Sequence, residues 1–343
     1  MFIIGFRYYT GADWAIYLNV WEQGVSYGSR MEYGYLLLNS AFRRITDNYY
    51  IMQFAITAFI LITAYKMYKK NTDYSLLAFS LFIFLFFLEP LMSQTRQCIA
   101  LAFVVLSLKY IFERRLIWFL LMIFFAYWFH SSAIIALPLY FLTKNYNKWL
   151  LFSLVLITAL GIISQQAIVA VLEIAQRFLP ANVVSTIAAY TVNIDEANMQ
   201  GAETRTGLFA LFRNVLVVTV LLLTNPKDSK MRFFINALVV GTILINLSSI
   251  VVIINRLSFY YMVFGVIGYT YLFSEQIKTR ASYISIVYAI CLLSFLSFPM
   301  IRAFTSTEPS VLNDRPSNYQ LVPYYNFFFH PEGASGRRDW WQQ

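Results

Sequence analysis

Long apolar runs with very few charges constrain this chain more than any other feature of its sequence. A membrane-spanning helix needs about 20 predominantly apolar residues, and the chain offers ten candidate runs, some of them short. Only 13% of the residues are charged, against about 25% in soluble proteins, which excludes an ordinary soluble enzyme. The runs are too continuous for the alternating strands of an outer-membrane barrel. We therefore predict an all-α, polytopic integral membrane protein with about 10 transmembrane helices.

The apolar runs divide the chain into a membrane domain and two flanking segments. The membrane domain covers residues 50–301, with an extracytoplasmic segment, 1–49, before it and an extracytoplasmic tail, 302–343, after it. Within the first segment, Glu32–Ile45 is amphipathic and too short to cross, so we predict an interfacial or re-entrant helix there. A long extracytoplasmic loop is predicted at about 171–206. The predicted spans lie near residues 50–68, 74–92, 97–112, 116–129, 131–143, 149–170, 207–224, 233–254, 257–273 and 282–301.

The pair of runs at 116–129 and 131–143 is short for two crossings and long for one. A single helix over both runs would extend about 40 Å, which exceeds the thickness of the hydrocarbon core. We therefore predict two short helices with a hinge at His130.

The distribution of lysine and arginine predicts the orientation of the chain. All nine lysines fall at one end of the predicted helices, which the positive-inside rule makes the cytoplasmic end. The opposite end has no lysine but thirteen arginines. One interpretation is chance combined with a preference for lysine in cytoplasmic loops. The other is an anion site on the outer face, because guanidinium groups bind phosphate in a bidentate manner and stay charged when partly desolvated.

Three of these arginines lie in motifs next to predicted helices. Arg7 lies in FRYYTGADWAIY, Arg96 in TRQCIALAF and Arg256 in NRLSFYY. A charge inside hydrocarbon costs about 2.5–3.5 kcal/mol, so we expect Arg96 to face protein or a water-filled cavity with a partner. Glu89 is the nearest candidate partner in the sequence, and a structural Arg96–Glu89 pair is the alternative to a functional role.

Two residues on the predicted outer face are candidate general bases. His130 lies at the predicted hinge, and histidine side chains titrate near neutral pH, so they can accept a proton from a sugar hydroxyl. Asp13 begins a predicted helix in the first arginine motif. Each has a structural alternative, since a lone histidine is often hydrogen-bonded in a core and aspartate is a common N-cap.

Several motifs are absent from the sequence. It contains no Gly-rich phosphate loop, which argues against an ATP-driven pump. It contains no Asp-x-Asp and no ligand-spaced cluster, so neither a metal nor a cofactor is predicted. Cys98 and Cys291 lie in apolar runs and imply no disulfide framework. The chain has more basic than acidic residues, and basic loops that orient a membrane protein explain this excess better than nucleic-acid binding does.

Taken together, the motifs resemble the EpsG family of bacterial exopolysaccharide and O-antigen polymerases, which is related to the Wzy polymerases. The resemblance rests on the three arginine motifs together with EYGY, FHSSAI and PYYNF, and it covers residues 6 to about 327. It implies a GT-C-like glycosyltransferase in the bacterial cytoplasmic membrane, with an extracytoplasmic active site. Relatives usually carry a further transmembrane helix before the first arginine motif, so the resemblance implies a start that is truncated or lies upstream.

The resemblance also implies a reaction, for which we assign candidate residues as a hypothesis. A glycan passes from undecaprenyl diphosphate to a hydroxyl of the next lipid-linked repeat unit, forming O-antigen, capsule or exopolysaccharide. The diphosphate is expected to bind to Arg7, Arg96 and Arg256. The expected base is His130 or Asp13. The sugar-binding cleft is expected to be lined by Glu32, Tyr17 and Tyr260.

Three other functions remain open at this point. An O-antigen ligase uses the same donor with a different acceptor, and the motifs favour a polymerase over it. A flippase for lipid-linked sugars needs basic residues along the middle of several helices, whereas the arginines of the three motifs lie at the outer ends of predicted helices. A structural partner of a chain-length regulator predicts that no single arginine is essential. The expected partners are the lipid-linked donor and acceptor, membrane lipid and a chain-length regulator.

Overall fold

The computed structural model describes residues 1–8, 10–11, 13–24, 31–143, 146–163, 207–248 and 253–276, with the single positions 292, 301, 305 and 328. Every regular element in this part of the chain is a helix. The elements are α1 (Phe2–Gly5), α2 (Trp14–Gln23), α3 (Tyr33–Arg43), α4 (Tyr49–Asn71), α5 (Ser75–Phe86), a π-helical turn (Phe87–Leu91), α6 (Thr95–Phe112), α7 (Leu116–Phe129), a 3₁₀ helix (Ser131–Phe141), α8 (Lys148–Ile163), α9 (Gly207–Leu223), α10 (Ser229–Leu247) and α11 (Ile253–Gln276).

The lengths and compositions of these helices are those of a membrane protein. Three described helices, α4, α6 and α10, are long and apolar enough to cross a membrane, and several shorter helices are also apolar. Helices lie at nine of the ten predicted spans, and the tenth, 282–301, falls almost wholly outside the described residues. The all-helical architecture is thus confirmed for the described residues, and its apolar helices are consistent with a membrane protein. The number of spans and the GT-C-like arrangement stay predictions. The loop predicted at 171–206 also lies outside the described residues.

Close contact between α10 and α11 holds the centre of the structure together. A Cβ atom added at Gly265 would lie 2.7 Å from the Cα of Leu238. Small residues allow such close approach of helices in membranes, where packing replaces the hydrophobic driving force. On another side of α11, the buried Tyr68 hydroxyl of α4 donates a hydrogen bond to the carbonyl oxygen of Val263 at 2.8 Å. These contacts fix the position of the middle of α11.

Two glycines bring the N-terminal segment against the membrane helices. Gly11 has a φ of +99°, and a Cβ atom there would overlap the carbonyl oxygen of Met92, just before α6. The predicted amphipathic helix is present as α3, where a Cβ atom at Gly34 would lie 2.7 Å from the carbonyl oxygen of Trp128 in α7. The residues that directly precede α2 and α3 are therefore held near the start of α6 and the end of α7.

The predicted hinge at His130 is present. The α7 helix ends at Phe129, and His130 adopts an extended backbone with φ −156° and ψ 115°. The second short helix is a 3₁₀ helix of 11 residues, which is unusually long for this conformation. The extended residue turns its side chain out of the helical path at the end of α7.

The contact between α10 and α11 makes Gly265→Ala destabilising. The added methyl group meets the backbone of Leu238, and overpacking of this kind costs about 1–3 kcal/mol, so we expect a lower melting temperature in detergent. Val215→Ile is the control, because it also enlarges a side chain by one carbon but does so on α9 at a position that is 58% exposed. Equal melting temperatures for Gly265→Ala and the unmodified protein would contradict the tight contact.

Candidate functional site

Glu32 contacts two of the predicted site residues at the meeting point of three helices. It directly precedes α3, and its Oε2 atom accepts a hydrogen bond from Nη1 of Arg96 in the first turn of α6. Its Oε1 atom lies 3.0 Å from Nδ1 of His130 and accepts a hydrogen bond from the Ser131 backbone N–H at 3.2 Å. Both carboxylate oxygens are therefore engaged by groups of the protein.

The partner of Arg96 is distant in the sequence. Glu32 lies 64 positions from Arg96, whereas Glu89, the nearest candidate in the sequence, accepts a hydrogen bond from Nδ2 of Asn255 at 3.0 Å. The structural alternative of an Arg96–Glu89 pair is thus replaced by an Arg96–Glu32 pair. The charge at the start of α6 is compensated, as the cost of burying an arginine requires.

The charge of Glu32 is strongly stabilised. Burial raises the pKa of its carboxyl group, but the hydrogen bond with His130 and the charge of Arg96 outweigh this effect and lower the pKa to about 2. The group is therefore ionised at any physiological pH. A carboxylate next to Nδ1 favours the imidazole tautomer with its proton on Nδ1, which leaves the lone pair on Nε2.

Asp13 belongs to the same charged cluster. Burial raises the pKa of its carboxyl group, and the charges of Arg256 and Arg96 oppose this effect without reversing it. The charges of Glu89 and His130 also act on the carboxyl group, which places Asp13 within electrostatic range of all four side chains. Asp13 stands at the N-cap position of α2, but its side chain makes no capping hydrogen bond to that helix. Capping is therefore not what holds Asp13 at this position.

Arg256 is exposed in the first turns of α11, and two neighbouring contacts hold its backbone in place. The Gln97 amide on α6 donates a hydrogen bond from Nε2 to the carbonyl oxygen of Arg256 at 2.5 Å. The preceding residue, Asn255, donates to Glu89 in the π-helical turn. The first turns of α6 and α11, which carry Arg96 and Arg256, are thus directly connected.

The two predicted sugar-binding tyrosines are buried behind the charged groups. Tyr17 lies under Arg96, with its ring centroid 6.0 Å from the guanidinium carbon. The Tyr260 hydroxyl lies 3.1 Å from Oγ of Ser132, just beyond the hinge. Their side chains are 2% and 0% exposed, so both tyrosines pack inside the protein next to site residues. Direct contact with a sugar stays a prediction for both.

Arg7 occupies a different environment from the other two arginines. It is 1% exposed, and its guanidinium donates to the carbonyl oxygen of Ile4 at 2.7 Å and to Oγ1 of Thr95 at 3.3 Å. Its own carbonyl oxygen accepts a hydrogen bond from Trp14 Nε1 at 3.1 Å. The structure therefore brings Arg96 and Arg256 into one electrostatic neighbourhood and places Arg7 behind the first residue of α6.

Sequence reasoning assigned no role to Asn255 or Gln97, and it considered Glu89 only as a structural partner of Arg96. The available signal was that an amide residue adjoins each of two predicted arginines, but only the fold shows what these amides bind. Among the described residues, no group of three histidine, cysteine or carboxylate side chains is arranged to hold a metal ion. The charged groups that meet are arginines, carboxylates and an imidazole, which suit anion binding and proton transfer.

Comparison with protein families identifies a match over most of the chain. The model of the EpsG family matches residues 1–326, which include every residue of the cluster described above. No curated protein and no solved structure matches the chain.

The low pKa of Glu32 predicts how the stability of the fold depends on pH. Because the pKa is about 2 in the folded protein and 4.5 in the ordinary state, the carboxylate stabilises the fold above pH 4.5, and this contribution is lost as the pH falls towards 2. Glu32→Gln should therefore lower the melting temperature at pH 7, and the difference from the unmodified protein should shrink below pH 4.5.

Glu113→Gln is the matched control for this melting experiment. Glu113 pairs with Arg115 at 3.2 Å where both side chains are more exposed, and such surface pairs contribute about 0–1 kcal/mol. If both variants lowered the melting temperature by the same amount at every pH, the low pKa of Glu32 in the folded protein would be contradicted.

Proposed function

The chain belongs to the EpsG family, and we propose that it polymerises lipid-linked oligosaccharide repeat units on the outer face of the bacterial cytoplasmic membrane. The family indicates a Wzy-like polymerase of exopolysaccharide biosynthesis. In the proposed reaction, a glycan is transferred from undecaprenyl diphosphate to a hydroxyl of the next lipid-linked repeat unit. The product is an O-antigen, a capsule or an exopolysaccharide.

The convergence of two arginines with a carboxylate–imidazole pair carries this proposal. The acceptor hydroxyl attacks the anomeric carbon of the donor, and the bond from that carbon to the phosphate oxygen breaks. Undecaprenyl diphosphate leaves with the bonding electrons, so negative charge develops on its phosphate oxygens. Arg96 and Arg256 are the groups that neutralise this charge, since fixed cations next to a leaving group stabilise the transition state.

Two groups are candidates for the base that removes the proton of the acceptor hydroxyl. His130 presents Nε2 when Glu32 binds its Nδ1 atom, and a carboxylate that orients an imidazole in this way favours general-base catalysis. Asp13 offers a carboxyl group whose raised pKa makes it a stronger base once ionised. Glu32, with both oxygens engaged, acts in this proposal as the group that orients His130 and Arg96.

Arg7 has a supporting role in this proposal. Its hydrogen bonds to Ile4 and Thr95 connect the N-terminal segment to the start of α6. Arg7→Lys is therefore expected to act through the position of Arg96.

Reconstitution of the purified protein with a defined lipid-linked repeat unit tests the proposed function. We expect a ladder of products by mass spectrometry, and we expect Arg96→Gln and Arg256→Gln to lower the rate by at least about 100-fold, as losses of comparable charge-stabilising groups do. Arg44→Gln is the control, because it removes an exposed arginine after α3, outside the cluster. Product formation only with a different acceptor would indicate a ligase, and transbilayer movement of the substrate without a product would indicate a flippase.

The pH dependence of the reaction distinguishes the two candidate bases. If Asp13 is the base, its raised pKa means that it keeps its proton to a higher pH than an ordinary aspartate does. The rate should then rise with pH above 3.8 as the proton is lost, and Asp13→Asn should abolish this rise while His130→Gln preserves it. If His130 is the base, His130→Gln should change the dependence of the rate on pH and Asp13→Asn should preserve it. Full activity of both variants would refute both assignments.

A further inference from the structure

Each arginine of the proposed diphosphate site adjoins a side-chain amide that bridges to another element. Gln97 follows Arg96, is 1% exposed and donates to the carbonyl oxygen of Arg256 at 2.5 Å. Asn255 precedes Arg256 and donates to Oε2 of Glu89 at 3.0 Å. The two bonds therefore connect the first turn of α6 to α11 and α11 to the π-helical turn.

These two bonds are well suited to hold backbone positions. A buried glutamine loses much of its side-chain freedom, and leaving a buried polar group without its bond costs more than the bond contributes. The Gln97 bond ends on a backbone carbonyl, so it fixes the path of the chain at Arg256 and leaves the Arg256 guanidinium exposed. Since Gln97 and Arg96 are adjacent on α6, the same bond fixes the backbone positions of the two arginines relative to each other.

The charges of the two arginines act on one point in the site. Both oppose the rise in the pKa of the Asp13 carboxyl group that burial causes, so both lie within electrostatic range of Asp13. The Asp13 carboxyl group is therefore a point at which both positive charges act.

We propose that Gln97 and Asn255 are positioning residues that fix the separation of the Arg96 and Arg256 side chains and thereby make the site prefer a diphosphate to a monophosphate. The proposal rests on the proposed function, in which these arginines bind the diphosphate of the donor. A diphosphate has two phosphate groups at a set distance, so two cations held at a fixed separation bind both at once, and the second contact acts as an intramolecular one. A monophosphate has a single phosphate group and gains little from a fixed separation.

Binding measurements on the full-length protein in detergent test this proposal. The probes are inorganic pyrophosphate and inorganic phosphate, and then farnesyl diphosphate and farnesyl monophosphate, which separate the effect of the phosphates from that of the lipid. We expect Gln97→Leu to weaken the binding of both diphosphates by about tenfold, because a tenfold change in affinity corresponds to the free energy that one hydrogen bond contributes. The binding of both monophosphates should change by less than about twofold.

A second variant and a control separate positioning from folding. Asn255→Leu removes the other bond and should give the same selective loss, so the proposal remains testable even if Gln97→Leu does not fold. Asn236→Leu is the control, because the Asn236 amide also donates to a distant backbone carbonyl, that of Leu142 just after the 3₁₀ helix, at 2.6 Å, but lies outside the charged cluster. Asn236→Leu should lower the melting temperature and leave the preference for diphosphate unchanged.

Each remaining outcome overturns a specific part of the argument. If the unmodified protein prefers diphosphate and both Leu variants keep that preference, the positioning role is refuted and the proposed function stands. If the variants weaken the binding of monophosphates and of diphosphates equally, Gln97 and Asn255 support the fold and do not determine the preference for a diphosphate. If the unmodified protein binds none of the four probes, the arginine site of the proposed function is itself refuted.

Discussion

The carboxylate of Glu32 is the group on which the charged cluster depends. It binds Arg96 through one oxygen and His130 and the Ser131 N–H through the other. An arginine at the start of an apolar helix is costly without a partner, and an imidazole needs a second group to fix its tautomer. One carboxylate meets both requirements, so Arg96 and the candidate base His130 are held close to each other.

Helix packing next to the cluster brings this carboxylate to its partners. Glu32 precedes α3, and α3 lies close to α7 because Gly34 has no side chain to meet the carbonyl oxygen of Trp128. The α11 helix is held by Gly265 against α10 and by the hydroxyl of Tyr68 on α4. Contacts of small or uncharged residues thus hold α3, which Glu32 directly precedes, and α11, which carries Arg256.

Much of the architecture could be predicted from the sequence, because it depends on local properties. Apolar runs predict helices through the cost of burying backbone polar groups in lipid, and nine of the ten runs coincide with described helices. The hinge at His130 follows from the lengths of its two flanking runs. The partner of Arg96 could not be predicted in this way, because proximity in the sequence favoured Glu89 and the fold provides Glu32, 64 positions away.

The sequence by itself determined that the chain is an all-α membrane protein and which residue types are available for phosphate and sugar chemistry. Only the tertiary structure decided which of them meet: Arg96 and Arg256 share the neighbourhood of Asp13, whereas Arg7 is enclosed behind Thr95. The physical reason is that helix formation depends on hydrophobicity and hydrogen bonds within a few residues. The meeting of charged side chains depends on contacts between helices that the chain brings together from distant positions.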